Sequence, residues 1–351
     1  MEASPTEPLR PAPPATGCWY LTGPTASGKT KVGVELALRL NAEIVSLDSM
    51  TIYQGMDIGT AKPSAEDRAR VPHHLLDLVP PNEDFSLSDY IDAAHAKIAE
   101  IKSRGREVLF VGGTPLYLKS LLRGVYQGPP ADWSFRDAIE SELKTLPPEA
   151  LHDRLQIIDP LMAAKLHPND TRRIIRGLEV FKLTGQRLSH LQTQFDEGRP
   201  ASQAKVFVLS WPRDQLHQRI DARVEQMFAA GLVEEVRGLL QTYGTLSRTA
   251  LQAVGYREVA EYLGVLSTEY SVLITHQQSA APQLPSSTSP SLSDCKERVK
   301  ARTRQFARRQ ETWFRGLSEC TLVPMQADVG PAAVATAIAA MRTQGTATKP
   351  A

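Results

Sequence analysis

The sequence predicts an α/β protein: a parallel sheet flanked by helices, with an inserted all-helical subdomain. Short apolar runs alternate with helical patterns along the first part of the chain, which is typical of parallel strands joined and covered by helices. The first apolar run leads into a glycine-rich loop that precedes a helical pattern. A long block with helical patterns only then separates the third apolar run from the fourth. The alternation predicts the fold class, and its interruption predicts the insertion.

The composition is that of an ordinary folded protein. Of 351 residues, 42% are hydrophobic and 23% are charged, which excludes a disordered chain, a collagen and a coiled-coil rod. No stretch approaches the roughly 18 apolar residues that indicate a membrane span, so we expect no membrane partner. The net charge of +1 excludes a protein that is basic throughout and coats nucleic acid non-specifically. Three widely spaced cysteines indicate free thiols in a reducing cytoplasm.

The first part of the chain contains three of the predicted strands. Residues 1–16 are rich in proline and lack the apolar segment of a signal peptide, so we expect a disordered leader. Residues 17–128 form the first part of the predicted sheet-containing core. Its apolar runs lie at 18–21, 42–47 and 108–111.

The rest of the chain is mostly helical in pattern. Residues 129–203 are the predicted inserted subdomain. Residues 204–323 return to the core with a fourth apolar run, at 206–211, and end in basic helices. Within them, 275–294 is rich in Ser, Pro and Gln, which predicts a mobile loop. Residues 324–351 are expected to form a C-terminal helix and tail.

The glycine-rich loop matches the phosphate-binding pattern G-x-x-x-x-G-K-[ST] at every fixed position, between a strand and a helix. Its backbone amides and the helix dipole would bind phosphate oxygens, Lys29 would add a positive charge, and Thr30 would offer a hydroxyl to magnesium. The pattern alone does not distinguish a nucleoside triphosphate from another diphosphate. The predicted phosphate-binding residues are Gly23, Pro24, Thr25, Ala26, Ser27, Gly28, Lys29 and Thr30.

A carboxylate follows the second apolar run. ATP hydrolysis or a kinase reaction would need an acidic residue at the end of a later strand to hold the metal, and the third run, LFVGGT, has none. Asp48 instead ends the second strand, whose carboxyl end lies near the phosphate loop in this topology. Asp48 could bind magnesium, act as a general base, or only cap the following segment.

Seven longer segments of the sequence resemble the motifs of a known family. Together with the phosphate loop they resemble, in order, the motifs of the tRNA dimethylallyltransferases, also called tRNA isopentenyltransferases. The resemblance covers nearly all of the chain from 17 to about 323. The segments are SLDSMTIYQGMDIGTAKP (46–63), PHHLLDLVPPNEDFSLSDY (72–90), VGGTPLYLKSLLRG (111–124), HPNDTRRIIRGLEVFKLTG (167–185), LHQRIDARVEQMFAAGLVEEV (216–236), AVGYREV (253–259) and RQFARRQETWFR (304–315).

The resemblance implies transfer of a dimethylallyl group from dimethylallyl diphosphate to the exocyclic amine of an adenosine. That adenosine, at position 37, follows the anticodon in tRNAs that read codons beginning with U. The phosphate loop would hold the diphosphate, with magnesium as cofactor, and Asp48 would take the proton of the amine. Arg219 and Arg223, one helical turn apart, would reach the diphosphate, their separate roles staying open. Thr114 would be the fourth catalytic residue. The resemblance also implies that the protein is a monomer.

The resemblance also implies an RNA-binding surface that would flip the target base out of the anticodon loop. The inserted block resembles the family's anticodon-loop clamp. The segment 296–315 carries a local charge of +6 with interleaved aromatic residues, which favours RNA contact. Thr51 stands where the family frequently has Gln. The residues assigned to tRNA are Asp48, Ser49, Met50, Thr51, Thr114, Arg172, Arg173, Arg176, Arg308, Arg309 and Arg315.

Three other functions remain open from the sequence. An adenylate isopentenyltransferase would perform the same chemistry on a free nucleotide, but would not need the helical clamp or the basic C-terminal helix. A small-molecule kinase would use the same loop for ATP. A non-catalytic RNA-binding protein would not depend on Asp48.

Overall fold

The computed structural model describes residues 12–126, 128–147, 149–192, 198–265 and 291–344. The chain divides into two compact units. Within the described residues, the larger unit comprises 14–123, 198–265 and 291–344, and the smaller unit comprises 12–13 and 124–192 with the gaps noted above. The main segment of the smaller unit thus begins at 124, whereas the sequence predicts an insertion over 129–203.

The larger unit contains a six-stranded sheet in the order β3-β2-β4-β1-β5-β6. All its strand pairs are parallel, which confirms the predicted fold class. The two edge strands, β3 and β6, have no counterpart among the predicted strands. The strands are β1 (Trp19–Thr22), β2 (Ala42–Ser46), β3 (His73–His74), β4 (Glu107–Val111), β5 (Val206–Ser210) and β6 (Cys320–Pro324).

Helices cover both faces of this sheet, because its central strands are apolar on both sides. All four residues of β1 are buried, and so are all five of β2. Gly33 lies so close to β4 that a Cβ there would be 2.9 Å from a Val111 methyl carbon. The helices of the larger unit are α1 (Lys29–Leu40), α2 (Ala65–Arg70), α3 (Leu87–Ser103), α4 (Pro115–Arg123), α10 (Arg213–Ala229), α11 (Leu232–Tyr243), α12 (Tyr256–Tyr262), α13 (Leu292–Arg315) and α14 (Pro331–Gln344).

The start of α13 corrects one sequence expectation. The predicted mobile loop, 275–294, extends into this helix, whose N-cap is Ser291. The Ser291 hydroxyl accepts a hydrogen bond from the Asp294 amide, and the Asp294 carboxylate accepts one from the Ser291 amide, each at 3.1 Å. This capping box satisfies two otherwise unpaired amides and begins the helix inside the Ser-rich stretch. Residues 275–290 lie outside the described residues.

The N-terminal segment corrects another expectation. The predicted disordered leader covers 1–16, of which 1–11 lie outside the described residues. The Ala15 amide donates to the Leu121 carbonyl at 2.7 Å, and the Tyr20 hydroxyl donates to the Ala15 carbonyl at 3.0 Å. Ala15 is buried. The last residues of the expected leader are therefore part of the folded unit.

The smaller unit is helical. Its apolar core contains Leu151, Leu155 and Ile174. Beside this core, the fully buried Glu179 accepts hydrogen bonds from Arg136 and Arg176 and from the Asp132 amide. Its helices are α5 (Trp133–Glu142), α6 (Ala150–Ile158), α7 (Pro160–Ala163), α8 (Thr171–Thr184) and α9 (Leu188–Leu191).

None of the helices in the described part of the chain has both the length and the apolar character needed to cross a bilayer.

We predict that Glu179→Ala lowers the free energy of unfolding by about 2 kcal/mol, because it leaves two arginines and a backbone amide without their shared acceptor. Urea unfolding monitored by circular dichroism measures this. The matched control is Glu142→Ala, which removes a pair with Arg154 in which both side chains are nearly half exposed. That change should stay within about 0.5 kcal/mol of the wild-type value. Equal losses for the two variants would contradict the importance of Glu179.

Candidate active site

The phosphate loop connects β1 to α1 and has a backbone shape that depends on glycine. Gly23 has φ +146°, and a Cβ there would lie 2.7 Å from the Leu209 carbonyl oxygen of β5. Gly28 precedes α1 with φ +91°. Both positions exclude larger residues, Gly23 by close approach and Gly28 by its left-handed conformation. The loop therefore lies directly against the sheet, with the first amides of α1 at its end.

Two side chains hold the phosphate loop from the side of β5 and α10. The Trp211 indole nitrogen donates to the Ser27 carbonyl at 2.9 Å. Arg219 Nε donates to the Ala26 carbonyl at 2.9 Å, and its guanidinium lies 4.2 Å from the centre of the Trp211 ring. Arg219 thus lies beside the loop and shapes it through the backbone. Its contact with the diphosphate, which the family resemblance implies, stays a prediction.

Lys29 brings a positive charge into the same place. Its Nζ donates to the Gly23 carbonyl at 3.0 Å and to the Pro24 carbonyl at 2.8 Å. Burial and the nearby Arg223 guanidinium lower the pKa of Lys29 to about 7, with Asp48 acting in the opposite direction. The Lys29 ammonium is therefore poorly solvated, and the charge of Asp48 offsets this loss of hydration only in part.

Asp48 lies where β2 ends, close enough to interact with Lys29 and Arg223. Its Oδ1 accepts a hydrogen bond from the Met50 amide at 2.9 Å, which fixes the orientation of the carboxylate. Burial raises the pKa of Asp48, although the Met50 amide, Lys29 and Arg223 partly oppose this shift. Arg223 is desolvated in turn, which lowers its pKa, while Asp48 raises it. Asp48 is thus a carboxylate with enhanced basicity beside the phosphate loop.

The loop after β4 contacts the backbone on both sides of Asp48. A Cβ on Gly112 would lie 2.2 Å from the Leu47 carbonyl oxygen, so only glycine fits there. The Thr114 amide donates to that same carbonyl at 3.1 Å, and Thr114 Oγ1 accepts from the Ser49 amide at 3.0 Å. Thr114 therefore contacts the backbone immediately after Asp48.

Thr30 is the candidate magnesium ligand. It is partly exposed at the second position of α1. In the described part of the chain, no group of three or more His, Cys, Asp or Glu side chains could hold a metal. A hydroxyl and a few oxygens from a bound diphosphate suit magnesium, which keeps several waters and needs no complete protein cage.

Gln310 of α13 belongs to the site although the sequence analysis does not predict it. Its side chain accepts a hydrogen bond from the Thr25 amide and donates one to the Gly113 carbonyl. The available signal was a glutamine at a helix position that faces the core, between the buried Ala307 and Phe314. Its partners are distant in the chain, so the sequence pattern did not identify them.

One residue assigned to tRNA lies inside the protein. The Thr51 side chain is 6% exposed, and its hydroxyl is 2.7 Å from the Ser46 hydroxyl. In this structure Thr51 is therefore not available for the expected contact with RNA, since it is buried and its hydroxyl is already paired. Ser49 and Met50, in contrast, are partly exposed.

The three arginines assigned in the smaller unit differ in their surroundings. Arg176 is tied to Glu179 and to the Pro129 carbonyl, which gives it a structural role. Arg173 is well exposed and lies 3.3 Å from an Asp170 oxygen. Arg172 is exposed as well.

Ion pairs divide the basic residues of α13 into two groups. Arg308, Arg309 and Arg315 are exposed and form no ion pair with any residue that the structure describes. Five basic residues nearer the start of the helix are paired: Lys296 and Lys300 with Glu225, Arg298 with Glu261, Arg302 with Glu258, and Arg304 with Asp221.

Comparison with known proteins gives a consistent result. The family model described as IPP transferase matches residues 51–317. The chain is 48% identical over 307 residues to a tRNA dimethylallyltransferase of Rhodopirellula baltica, covering 85% of each chain. It is similar to the crystal structure of a tRNA isopentenylpyrophosphate transferase from Bacillus halodurans, with 36% identity, TM-score 0.62, and 94% and 97% of the two chains covered. It also resembles a eukaryotic dimethylallyltransferase acting on tRNA, with 25% identity, TM-score 0.63, and 88% and 73% covered.

We predict that the affinity for inorganic pyrophosphate with magnesium falls as pH rises above about 7. Below that pH Lys29 is already protonated; above it Lys29 is neutral and must take up a proton to pair with the anion. Pyrophosphate itself titrates in this range, and Lys29→Met serves as the control for that effect. Relative to this variant, the dissociation constant of the wild-type protein should rise by up to about tenfold per pH unit. Calorimetric titration between pH 6 and pH 9 measures both. A pH-independent ratio of the two constants would contradict the prediction.

Proposed function

The chain belongs to the IPP transferase family, the tRNA dimethylallyltransferases, and we propose that it modifies tRNA next to the anticodon. The reaction transfers a dimethylallyl group from dimethylallyl diphosphate to N6 of adenosine 37, in tRNAs that read codons beginning with U. Diphosphate is the second product. The observation that carries this proposal is the basic carboxylate of Asp48 beside a phosphate loop.

The proposed chemistry is a displacement at the allylic carbon. The N6 lone pair forms the new carbon–nitrogen bond, the carbon–oxygen bond to the diphosphate breaks, and its electron pair leaves with the diphosphate. Asp48 takes the proton that N6 loses; its raised pKa suits a general base. Lys29, Arg223 and the loop amides stabilise the charge that develops on the leaving group.

Magnesium is proposed as the cofactor. The Thr30 hydroxyl and the diphosphate oxygens would hold it, and it would supply further positive charge to the leaving group. Arg219, with its side chain bonded to the Ala26 carbonyl, would keep the loop in the shape that accepts the anion.

The proposed RNA surface uses the exposed end of α13. Arg308, Arg309 and Arg315 are free of ion pairs within the described chain, so they can bind phosphates without first breaking an ion pair. Ser49 and Thr114 adjoin Asp48 and would contact the flipped nucleotide. Arg172 and Arg173, in the smaller unit, are separately proposed to contact RNA. We infer a cytoplasmic monomer.

A direct assay separates this proposal from its alternatives. Purified protein is incubated with dimethylallyl diphosphate and magnesium, and with either AMP or an unmodified anticodon stem-loop that carries A37. Mass spectrometry of the nucleosides should show prenylated adenosine in the stem-loop. Preferential modification of AMP would support an adenylate isopentenyltransferase, and transfer of the γ-phosphate from ATP would support a kinase; either result would reject the proposal.

We predict that Asp48→Asn lowers kcat by about 10²- to 10⁴-fold, because the amide cannot accept the proton of the attacking amine. Affinity for the stem-loop should change by less than about threefold, since shape and charge contacts to RNA remain. Single-turnover kinetics and fluorescence anisotropy measure the two quantities. Glu66→Gln, at an exposed position on α2, is the control and should keep full activity. An unchanged rate in Asp48→Asn would exclude Asp48 as the general base, whereas stem-loop binding without prenyl transfer by the wild-type protein would favour a non-catalytic RNA-binding protein.

We also predict that replacing both Arg308 and Arg309 by alanine weakens stem-loop binding and its salt dependence. Loss of two contacts to single-stranded RNA phosphates should reduce the slope of log K against log salt by about 1.4. Lys300→Ala is the control, since Lys300 is already paired with Glu225 and Glu297. Equal slopes for the double variant and the wild-type protein would exclude these arginines from the RNA surface.

A further inference from the structure

Gln310 interrupts the buried face of α13. It is 3% exposed, and its neighbours on that face, Ala307 and Phe314, are 1% exposed. Spacings of three and four residues place all three side chains on one side of the helix. Burial of a side-chain amide is unfavourable unless both its oxygen and its nitrogen find partners. An apolar residue would fill this position without that requirement, so the partners of the amide are informative.

Both halves of the Gln310 amide are bonded, each to a different loop of the active site. Oε1 accepts a hydrogen bond from the Thr25 amide of the phosphate loop at 2.8 Å. Nε2 donates to the Gly113 carbonyl of the loop after β4 at 2.6 Å. A Cβ on Gly113 would itself lie 2.6 Å from Nε2, so this loop has room for the amide only because residue 113 is glycine.

The two bridged loops carry the two reactants in the proposed function. The phosphate loop would hold the dimethylallyl diphosphate. The loop after β4 continues into Thr114, whose hydroxyl accepts from the Ser49 amide directly after Asp48. A displacement needs the allylic carbon and N6 in line at about 3–3.5 Å, so the separation of these loops decides whether the reaction geometry is reached.

We propose that Gln310 is a positioning residue that sets the spacing between the diphosphate loop and the loop that orients the general base. The proposal rests on the proposed transferase function and deepens it. Arg309 is the adjacent residue on the same helix and is exposed. Consecutive residues are only about 1.5 Å apart along a helix axis. An RNA contact with Arg309 would therefore hold the RNA at a fixed distance from the hydrogen bonds of Gln310.

The first test is Gln310→Met, which keeps an unbranched side chain of similar length but removes both hydrogen bonds. We expect kcat for stem-loop prenylation to fall by about 10- to 100-fold, as for a misplacement of about 1 Å. KM for the stem-loop should change by less than about threefold. Gln305→Met, at an exposed position on the same helix, is the matched control and should keep the wild-type kcat. Assays are run well below the melting temperature of each variant.

A second variant keeps the proposal testable if Gln310→Met does not fold. In Gln310→Glu, one carboxylate oxygen still accepts from Thr25, while the other opposes the Gly113 carbonyl unless it is protonated. The charged groups around this bridge are Lys29, near Gly113, and Asp48 and Arg223, which act on Lys29. The rate relative to wild type should therefore rise as pH falls, whereas the relative rate of Gln310→Met should not depend on pH.

The outcomes separate the two proposals. Absence of prenyl transfer by the wild-type protein would reject the proposed function itself. An active wild-type protein, with Gln310→Met lowering only the melting temperature while kcat stays unchanged, would assign Gln310 a merely structural role. A constant ratio between Gln310→Glu and wild type across pH would likewise overturn the proposal. A lower kcat with an unchanged KM and acid recovery of Gln310→Glu would support it.

Discussion

The site depends on the close approach of two backbone segments at one edge of the sheet. Gly112 lies so near Leu47 that a Cβ would be 2.2 Å from the Leu47 carbonyl oxygen. That oxygen also accepts a hydrogen bond from the Thr114 amide, so the loop after β4 is fastened to the end of β2. Since β1, β2 and β4 are neighbouring parallel strands, their carboxyl ends bring the phosphate loop, Asp48 and Thr114 together.

Burial at this edge changes the two central ionisable groups in opposite directions. It raises the pKa of Asp48 and lowers that of Lys29 to about 7, because each charged form loses hydration. A more basic carboxylate suits proton removal, and an underpaired ammonium suits an incoming anion. One physical cause thus gives both groups properties that the proposed displacement needs, and perturbed pKa values tend to gather at functional sites.

The two halves of helix α13 use their polar residues differently. Its first half uses basic residues for ion pairs within the larger unit, so the local charge of +6 overstates what is available to a ligand. Its second half exposes Arg308, Arg309 and Arg315, while Gln310 lies between the active-site loops. The near-neutral net charge of the chain therefore conceals three exposed arginines, without ion pairs in the described residues, on a helix that also contacts the phosphate loop.

The sequence by itself determined the parallel α/β class, the phosphate loop and the place of Asp48 after β2, because these depend on local periodicity and fixed spacing. It did not predict the short edge strands, the order at Ala15 or the capping box at Ser291. At the last two places the Pro-rich or Ser-rich composition predicted disorder, whereas a few specific hydrogen bonds order the chain. Only the tertiary structure decided the burial of Thr51 and the bridge from Gln310 to Thr25. Those two residues are 285 positions apart, and no local pattern records such a contact.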